Sequence, residues 1–255
     1  MSQNDRTSWF IDSEGPNEEA VELAFAWVQQ LGEQHEEKRD AVLAVNTKKQ
    51  LDGVVSTVIG DQAAKALNKK KPVGVGEAEI QLMTKRIDPS GWQSGPVLAI
   101  YPDKDLLDKI DGMYGVTDVL VVPWSKDTVQ FWIDTWGASA LQSDASGDAP
   151  EIDNPVAKEA VDTLDALVNT STGITHSSDR ATCIEIFKTL HSNGISFDPE
   201  AIRAWLVAEK GWDPDYADDV KEVAEGVQTG KRFQYDSGRL SNDIMNQWKD
   251  AANVN

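Results

Sequence analysis

The sequence predicts a three-layer α/β domain with a small, mainly parallel sheet, followed by an all-helical domain. Three observations lead to this fold class. Short apolar runs alternate with amphipathic segments through the first 141 of the 255 residues. Residues 142–155, rich in Ser, Asp, Ala, Gly and Pro, then predict a flexible linker. Beyond the linker only helical periodicity recurs.

The first half of the α/β domain contains predicted helices and strands in alternation. After a polar arm around Trp9, apolar residues at helical spacing predict an amphipathic helix over 16–39. The apolar run 41–45 predicts a buried strand, and a helix with inward-facing residues over 51–67 follows it. Residues 73–82 alternate in two phases, which predicts either a bulge or a short hairpin.

The second half of this domain continues the alternation. An apolar strand at 97–100 leads into a helix that presents apolar residues over 106–113. Another strand is predicted at 116–122 and another helix at 128–141. This order resembles Rossmann-like domains in general, and the resemblance implies a fold but no particular function.

The remainder, residues 156–255, predicts an acidic helical domain. Asp198 with Pro199 and Asp213 with Pro214 are typical of a helix N-cap followed by proline at the first helical position. Helices are expected at about 155–168, 179–192, 199–209, 214–228 and 240–252.

The chain is strongly acidic, with a formal net charge of -19. From residue 142 onward, 21 acidic against 10 basic residues leave -11, so the first 141 residues carry -8. This charge disfavours direct binding to nucleic acid, and it favours a protein partner, of basic character as one option, or metal ions. Solubility alone is the simpler explanation.

The single cysteine, Cys183, cannot form an internal disulfide, which favours a reducing compartment. The first ten residues lack the features of a signal peptide, and no apolar stretch is long enough to cross a membrane. We therefore expect a cytoplasmic protein that is not inserted in a membrane.

Candidate ligand-binding residues follow from the topology. In open α/β sheets, ligands bind beyond the carboxyl ends of the parallel strands. The residues at these predicted positions are Asn46, Thr47, Lys48, Tyr101, Asp103, Trp124 and Ser125.

Asp103 and Asp105 form an Asp-x-Asp pair directly after a strand, a spacing at which two carboxylates can share one Mg²⁺ ion. Asp103 also stands where an N-cap belongs, and Asp105 falls in the first helical turn. A second acidic pair after the next strand is missing, so capping is the favoured interpretation.

Three further patterns give additional hypotheses. Thr47 and Lys48 at a helix start could receive a small anion, although no glycine-rich phosphate loop accompanies them. Trp124 is an aromatic residue at the ligand-binding edge. Cys183 with His176 or His191 would form a nucleophile and base only if the fold brought them together.

The sequence does not specify whether the protein is an enzyme. The leading hypothesis is a non-catalytic binding or regulatory protein, with a small-anion site in the α/β domain and a protein-contact surface on the helical domain. One alternative is a Mg²⁺-dependent enzyme acting on a phosphate-bearing or nucleotide-sugar substrate, and Mg²⁺ is implied only in that case. The other is an acidic mimic of nucleic acid.

Overall fold

A computed structural model of the chain describes residues 6–141 and 151–252. The chain divides into two compact units, residues 1–149 and 150–255. The first is a three-layer α/β unit and the second is helical, which confirms the predicted fold class. Most of the predicted flexible linker, from 142 to 150, lies outside the described residues.

The α/β unit has a seven-stranded sheet in the order β3-β4-β2-β5-β6-β1-β7. All neighbouring strands are parallel except the antiparallel pair β3 and β4. The strands are β1 (Thr7–Phe10), β2 (Asp40–Ala44), β3 (Val73–Val75), β4 (Ala78–Met83), β5 (Gly95–Ile100), β6 (Val116–Val122) and β7 (Ser139–Ala140).

Helices cover both faces of this sheet. Helices α1 to α3 contribute to one core and α4 and α5 to the other. Alternate residues of β2 explain the division, because Leu43 enters the first core and Val42 enters the second. The helices are α1 (Glu18–Gln34), α2 (Val54–Ile59), α3 (Asp61–Asn68), α4 (Lys104–Asp111) and α5 (Gln130–Trp136).

The sheet is larger than the sequence indicates, because two of its strands lie where an arm and a helix were predicted. The predicted polar arm around Trp9 forms β1, which pairs with β6 on one side and β7 on the other. The predicted helix over 128–141 is wrong at its end. Gly137, with φ of 52°, ends α5 in a left-handed C-cap, and the chain then forms β7.

Two other predicted elements differ in detail. The helix expected over 51–67 is divided into α2 and α3 at Gly60, whose φ of 85° a continuous helix excludes. Gly53, with a φ of 99°, delays its start to Val54 in the same way. Of the two explanations for residues 73–82, the hairpin is confirmed by the antiparallel pairing of β3 with β4.

The helical unit contains five helices within its described residues, and each lies close to a predicted one. The two Asp-Pro predictions are confirmed, since Asp198 accepts a hydrogen bond from the Glu200 amide at 2.9 Å and Asp213 accepts one from the Asp215 amide at 3.0 Å. The helices are α6 (Pro155–Leu167), α7 (Ser177–Ser192), α8 (Pro199–Ala208), α9 (Pro214–Gln228) and α10 (Ile244–Ala251).

Within residues 6–141 and 151–252, no helix combines the length and the apolar character needed to cross a membrane.

The end of α3 places a lysine in a conformation that usually belongs to glycine. Lys70 has a φ of 58°, its amide donates to Leu67 O at 2.8 Å, and the Lys71 amide donates to Ala66 O at 3.0 Å. This is the Schellman pattern of helix termination. An L-residue in this region is strained by roughly 1–2 kcal/mol.

Replacing Lys70 with glycine should therefore raise the free energy of unfolding by about 0.5–1 kcal/mol, because the strain relieved exceeds the extra entropy of an unfolded glycine. Chemical denaturation measures the change. Lys69→Gly is the matched control, since exposed Lys69 has a φ of -88° and should gain nothing. Equal effects at both positions would contradict the strain at Lys70.

A candidate ligand site at the carboxyl edge of the sheet

At two places along the carboxyl edge of the sheet, the segments that follow two adjacent strands cross to opposite faces of the sheet. The chain leaves β2 towards α2 on one face and leaves the neighbouring β5 towards α4 on the other. The same divergence separates β6, followed by α5, from β1, followed by α1. Such switch points open crevices in which α/β proteins commonly bind ligands.

Asn46 connects the two loops that diverge at the first switch point, between β2 and β5. Its side-chain amide donates to Tyr101 O at 2.9 Å, and its side-chain oxygen accepts from the Asp103 amide at 3.0 Å. One side chain thus fixes the loop that follows β2 to the loop that follows β5. The role of this predicted site residue is to position Tyr101.

Tyr101 has an unusual backbone conformation directly after β5. Its φ is 50°, in the left-handed region that bulky residues avoid. Its carbonyl also accepts a hydrogen bond from Gln50 at 3.3 Å, and its hydroxyl accepts one from the Asn17 amide at 3.0 Å. Strained residues held from several sides occur preferentially at functional sites.

Trp124 lies beyond β6 and contacts the Tyr101 ring. The ring centroids are 5.4 Å apart and the planes are inclined by 83°, an edge-to-face arrangement. Trp124 is 52% exposed, and its carbonyl accepts a hydrogen bond from the Gly15 amide at 2.7 Å. The backbone is therefore fixed while part of the indole remains open. Its neighbour Ser125 starts a short turn, where its carbonyl accepts from the Thr128 hydroxyl at 2.6 Å.

The residues predicted to receive a small anion have other partners in the structure. The Thr47 amide donates to the Gln50 side chain at 3.0 Å, and the Lys48 ammonium donates to the carbonyl of Asn68. The helical turn after Thr47 spans only four residues, so its dipole is weak. The anion site at Thr47 and Lys48 stays a prediction.

The Asp103 and Asp105 carboxylates share the ammonium of Lys85. The Lys85 ammonium is 2.8 Å from Asp105 and also pairs with Asp103. Hydrogen bonds to both carboxylates raise the pKa of Lys85, and the hydrogen bond from Lys85 lowers the pKa of Asp105. Asp103 also caps α4 by accepting from the Leu106 amide at 3.2 Å. A Mg²⁺ ion at this pair would have to displace Lys85.

Three residues that sequence reasoning missed complete this edge: Asn17, Gln50 and Lys85. Gln50 had a detectable signal, because it stands three residues after Thr47, the spacing of a capping box. Lys85 and Asn17 had none, since the distance along the chain from Lys85 to Asp105 is 20 residues and from Asn17 to Tyr101 is 84.

Cys183 is buried inside the helical unit. Burial strongly raises the pKa of its thiol. His176 precedes α7 and His191 lies in its last turn, so the helical rise places them about 10 Å and 12 Å from Cys183 along the axis. The sequence hypothesis of a Cys and His pair therefore lacks the contact it requires.

Many carboxylates of the helical unit form ion pairs within it. Asp162 pairs with Lys210 at 2.6 Å and with Lys158 at 2.9 Å, and Asp218 pairs with Arg203 at 2.6 Å. A mimic of nucleic acid needs rows of carboxylates that a basic partner can reach. These internal pairs leave fewer carboxylates for that purpose than the number of acidic residues indicates.

A family model matches the helical unit. Residues 153–249 match the model of a family described as a domain of unknown function, DUF1889. A crystal structure of a protein from Salmonella typhimurium is 29% identical, with a TM-score of 0.35, over 39% of this chain and 99% of that protein.

The second domain of the DEAD-box helicase Mss116p, bound to an RNA duplex, is 13% identical, with a TM-score of 0.34, over 91% of this chain and 99% of that domain. No curated protein matches the sequence. The DUF1889 match begins after the α/β unit ends, so it gives no role to the carboxyl-edge residues.

Asn46→Ala should lower the free energy of unfolding by about 2 kcal/mol, because the Asp103 amide loses its hydrogen-bond acceptor and the Tyr101 carbonyl loses its nearer donor. Asn46→Asp keeps the acceptor and should lose about half as much. Chemical denaturation measures both changes, and exposed Asn68→Ala is the matched control. An Asn46→Ala variant as stable as this control would show that Asn46 does not hold the edge together.

Proposed function

We propose that this chain is a non-catalytic binding protein whose α/β unit binds a small, ring-bearing ligand on Trp124. The observation that carries the proposal is the pairing of half-exposed Trp124 with strained Tyr101 at the carboxyl edge. A second unit, acidic and helical, supplies the surface for a protein partner.

The aromatic pair supports a ligand that contains a planar ring. Tyr101 meets Trp124 edge to face, and the open part of the indole offers an apolar surface on which a planar ring can stack. The Tyr101 hydroxyl accepts from the Asn17 amide and still has its own proton, which can be donated to a ligand acceptor. A planar heterocycle with acceptor atoms satisfies both features.

The reactive groups of the unit support binding rather than chemistry. The Asp103 and Asp105 carboxylates pair with Lys85, and Asp103 also caps a helix. The ion pair and the cap both hold the carboxylate oxygens in fixed positions. The hydrogen bond from Lys85 lowers the pKa of Asp105, which is the opposite of the raised pKa that a general acid needs near neutral pH.

Adenosine is a suitable probe for this site, because it combines a planar ring with acceptor atoms and carries no charge. Isothermal titration should show saturable binding that Trp124→Ala weakens roughly 5- to 150-fold, the range expected for about 1–3 kcal/mol of stacking. Adenosine monophosphate should bind no more tightly than adenosine, because the Lys48 ammonium already donates to the Asn68 carbonyl. Clearly tighter binding of adenosine monophosphate than of adenosine would support the anion site at Thr47 and Lys48.

Tyr114→Ala is the matched control for Trp124→Ala, because Tyr114 is an aromatic residue of the same unit and is 78% exposed. This variant should bind adenosine as the unaltered protein does. Equal weakening by both variants, or no binding of adenosine to the unaltered protein, would contradict a ring-binding site at Trp124.

The protein-contact part of the proposal rests on the first turns of α9. Burial, followed by the neighbouring charges of Glu222, Asp215 and Asp218, raises the pKa of Asp219, although Arg180 opposes the shift. Like charges that raise a carboxyl pKa repel one another, and a basic partner would relieve that repulsion. A partner with a lysine- or arginine-rich surface is therefore the best match.

The double variant Asp215→Asn with Asp219→Asn should reduce capture of such a partner from cell lysate at least several-fold, because it removes two charges from the proposed surface. Quantitative mass spectrometry of the captured proteins measures this. Asp236→Asn with Asp250→Asn removes the same charge elsewhere in the helical unit. Equal reduction by both pairs, or no specific capture by the unaltered chain, would remove the α9 surface from the proposal.

A further inference from the structure

The helical unit contains a groove whose charge is opposite to that of the unit. Its volume is about 580 Å³, which suits a small molecule. It lies between α7 and the irregular segment that follows α9, inside the region matched by the family model. The polar lining residues are Glu185, Lys188, Thr189, His191, Ser192, Lys231, Arg232 and Tyr235.

The lining carries three permanent cations and one carboxylate. Lys188, Lys231 and Arg232 against Glu185 give a formal charge of +2, with His191 taken as neutral. Residues 151–255, by contrast, contain 19 acidic and 10 basic residues, a balance of -9. A cationic concavity in so acidic a unit concentrates positive potential where an anion could enter.

The one carboxylate of the groove, that of Glu185, already accepts hydrogen bonds from backbone amides. Glu185 accepts hydrogen bonds from the amide of Gly238 at 3.0 Å and from that of Arg239 at 2.9 Å. These two bonds hold the segment against α7 and stabilise the negative charge of Glu185. The carboxylate therefore forms part of the wall and opposes an anion less than an unpaired one would.

Aromatic rings contact two of the three cations, Lys188 and Lys231. The Lys188 ammonium lies 4.6 Å from the centre of the Tyr235 ring. Lys231 lies 5.5 Å from the Phe233 ring centre and pairs with Glu222 at 3.0 Å. The ring of Phe233 in turn packs on Gly226, where an added Cβ would come within 2.6 Å of it. The segment after α9, which contains Lys231 and Arg232, therefore packs closely against α9.

We propose that this groove binds a small oxyanion with at least two negative charges, of the diphosphate or phosphate-ester class. Lys188 and Arg232 provide the charge for it, because Arg forms paired hydrogen bonds with phosphate oxygens and Lys acts as a mobile point charge. Tyr235 forms the aromatic wall, and the volume leaves space for an organic group attached to the phosphate.

Isothermal titration of the full chain with pyrophosphate at low salt tests the proposal. We expect saturable binding that is weakened at least tenfold by Lys188→Gln with Arg232→Gln. Arg232→Gln alone should weaken it several-fold and leaves the contact between Lys188 and Tyr235 intact. The matched control, Lys249→Gln with Arg86→Gln, removes the same charge outside the groove and should bind as the unaltered chain does.

Thermal unfolding of each variant separates lost binding from lost folding, and Arg232→Gln keeps the test informative if the double variant unfolds. Absence of saturable binding to the unaltered chain would overturn the proposal. Equal weakening by the control pair would also overturn it, since the attraction would then belong to the overall charge. Trp124→Ala should leave pyrophosphate binding unchanged, so failure at the carboxyl edge and failure in this groove are distinguishable.

Discussion

The burial of the central strands on both faces is the constraint on which the α/β unit depends. All six residues of β5 are buried, and four of the five residues of β2 are buried. Such strands require helices on both sides, and the chain can supply them only by leaving neighbouring strands in opposite directions. The two switch points at the carboxyl edge are therefore a consequence of the same packing that forms the two cores.

Asn46 and Tyr101 show how the edge is stabilised once the chains diverge. The Tyr101 backbone is strained, yet its carbonyl is held by the Asn46 and Gln50 side chains, and its hydroxyl is held by the Asn17 backbone amide. Together they fix a ring that supports Trp124 from the side. The resulting surface is preorganised, so that a ligand stacked on the indole would not have to order it first.

Local patterns predicted most of the fold because they act over a few residues. The caps at Asp198 and Asp213 and the buried strand at 116–122 are of this kind. Strand β1 was missed because its four residues are too few to show a period and its stability comes from pairing with β6 and β7.

The candidate site was only partly predictable for a similar reason. Topology correctly brought Asn46, Tyr101 and Asp103 to one place, as their hydrogen bonds show. It gave no sign of Lys85, because an ion pair between a loop and a helix depends on the folded path of the chain. The sequence predicted that the two carboxylates either bind a metal ion or cap and start a helix. The structure confirms the cap at Asp103 and shows in addition that both carboxylates pair with Lys85.

The most direct measurement of the central claim is fluorine NMR of the protein labelled with 5-fluorotryptophan, during titration with adenosine. The Trp124 resonance can be assigned from its absence in Trp124→Phe. If the ligand stacks at the carboxyl edge, this resonance should shift first and saturate, while that of fully buried Trp212 stays unchanged. A spectrum in which Trp124 does not move at saturating adenosine would contradict the account.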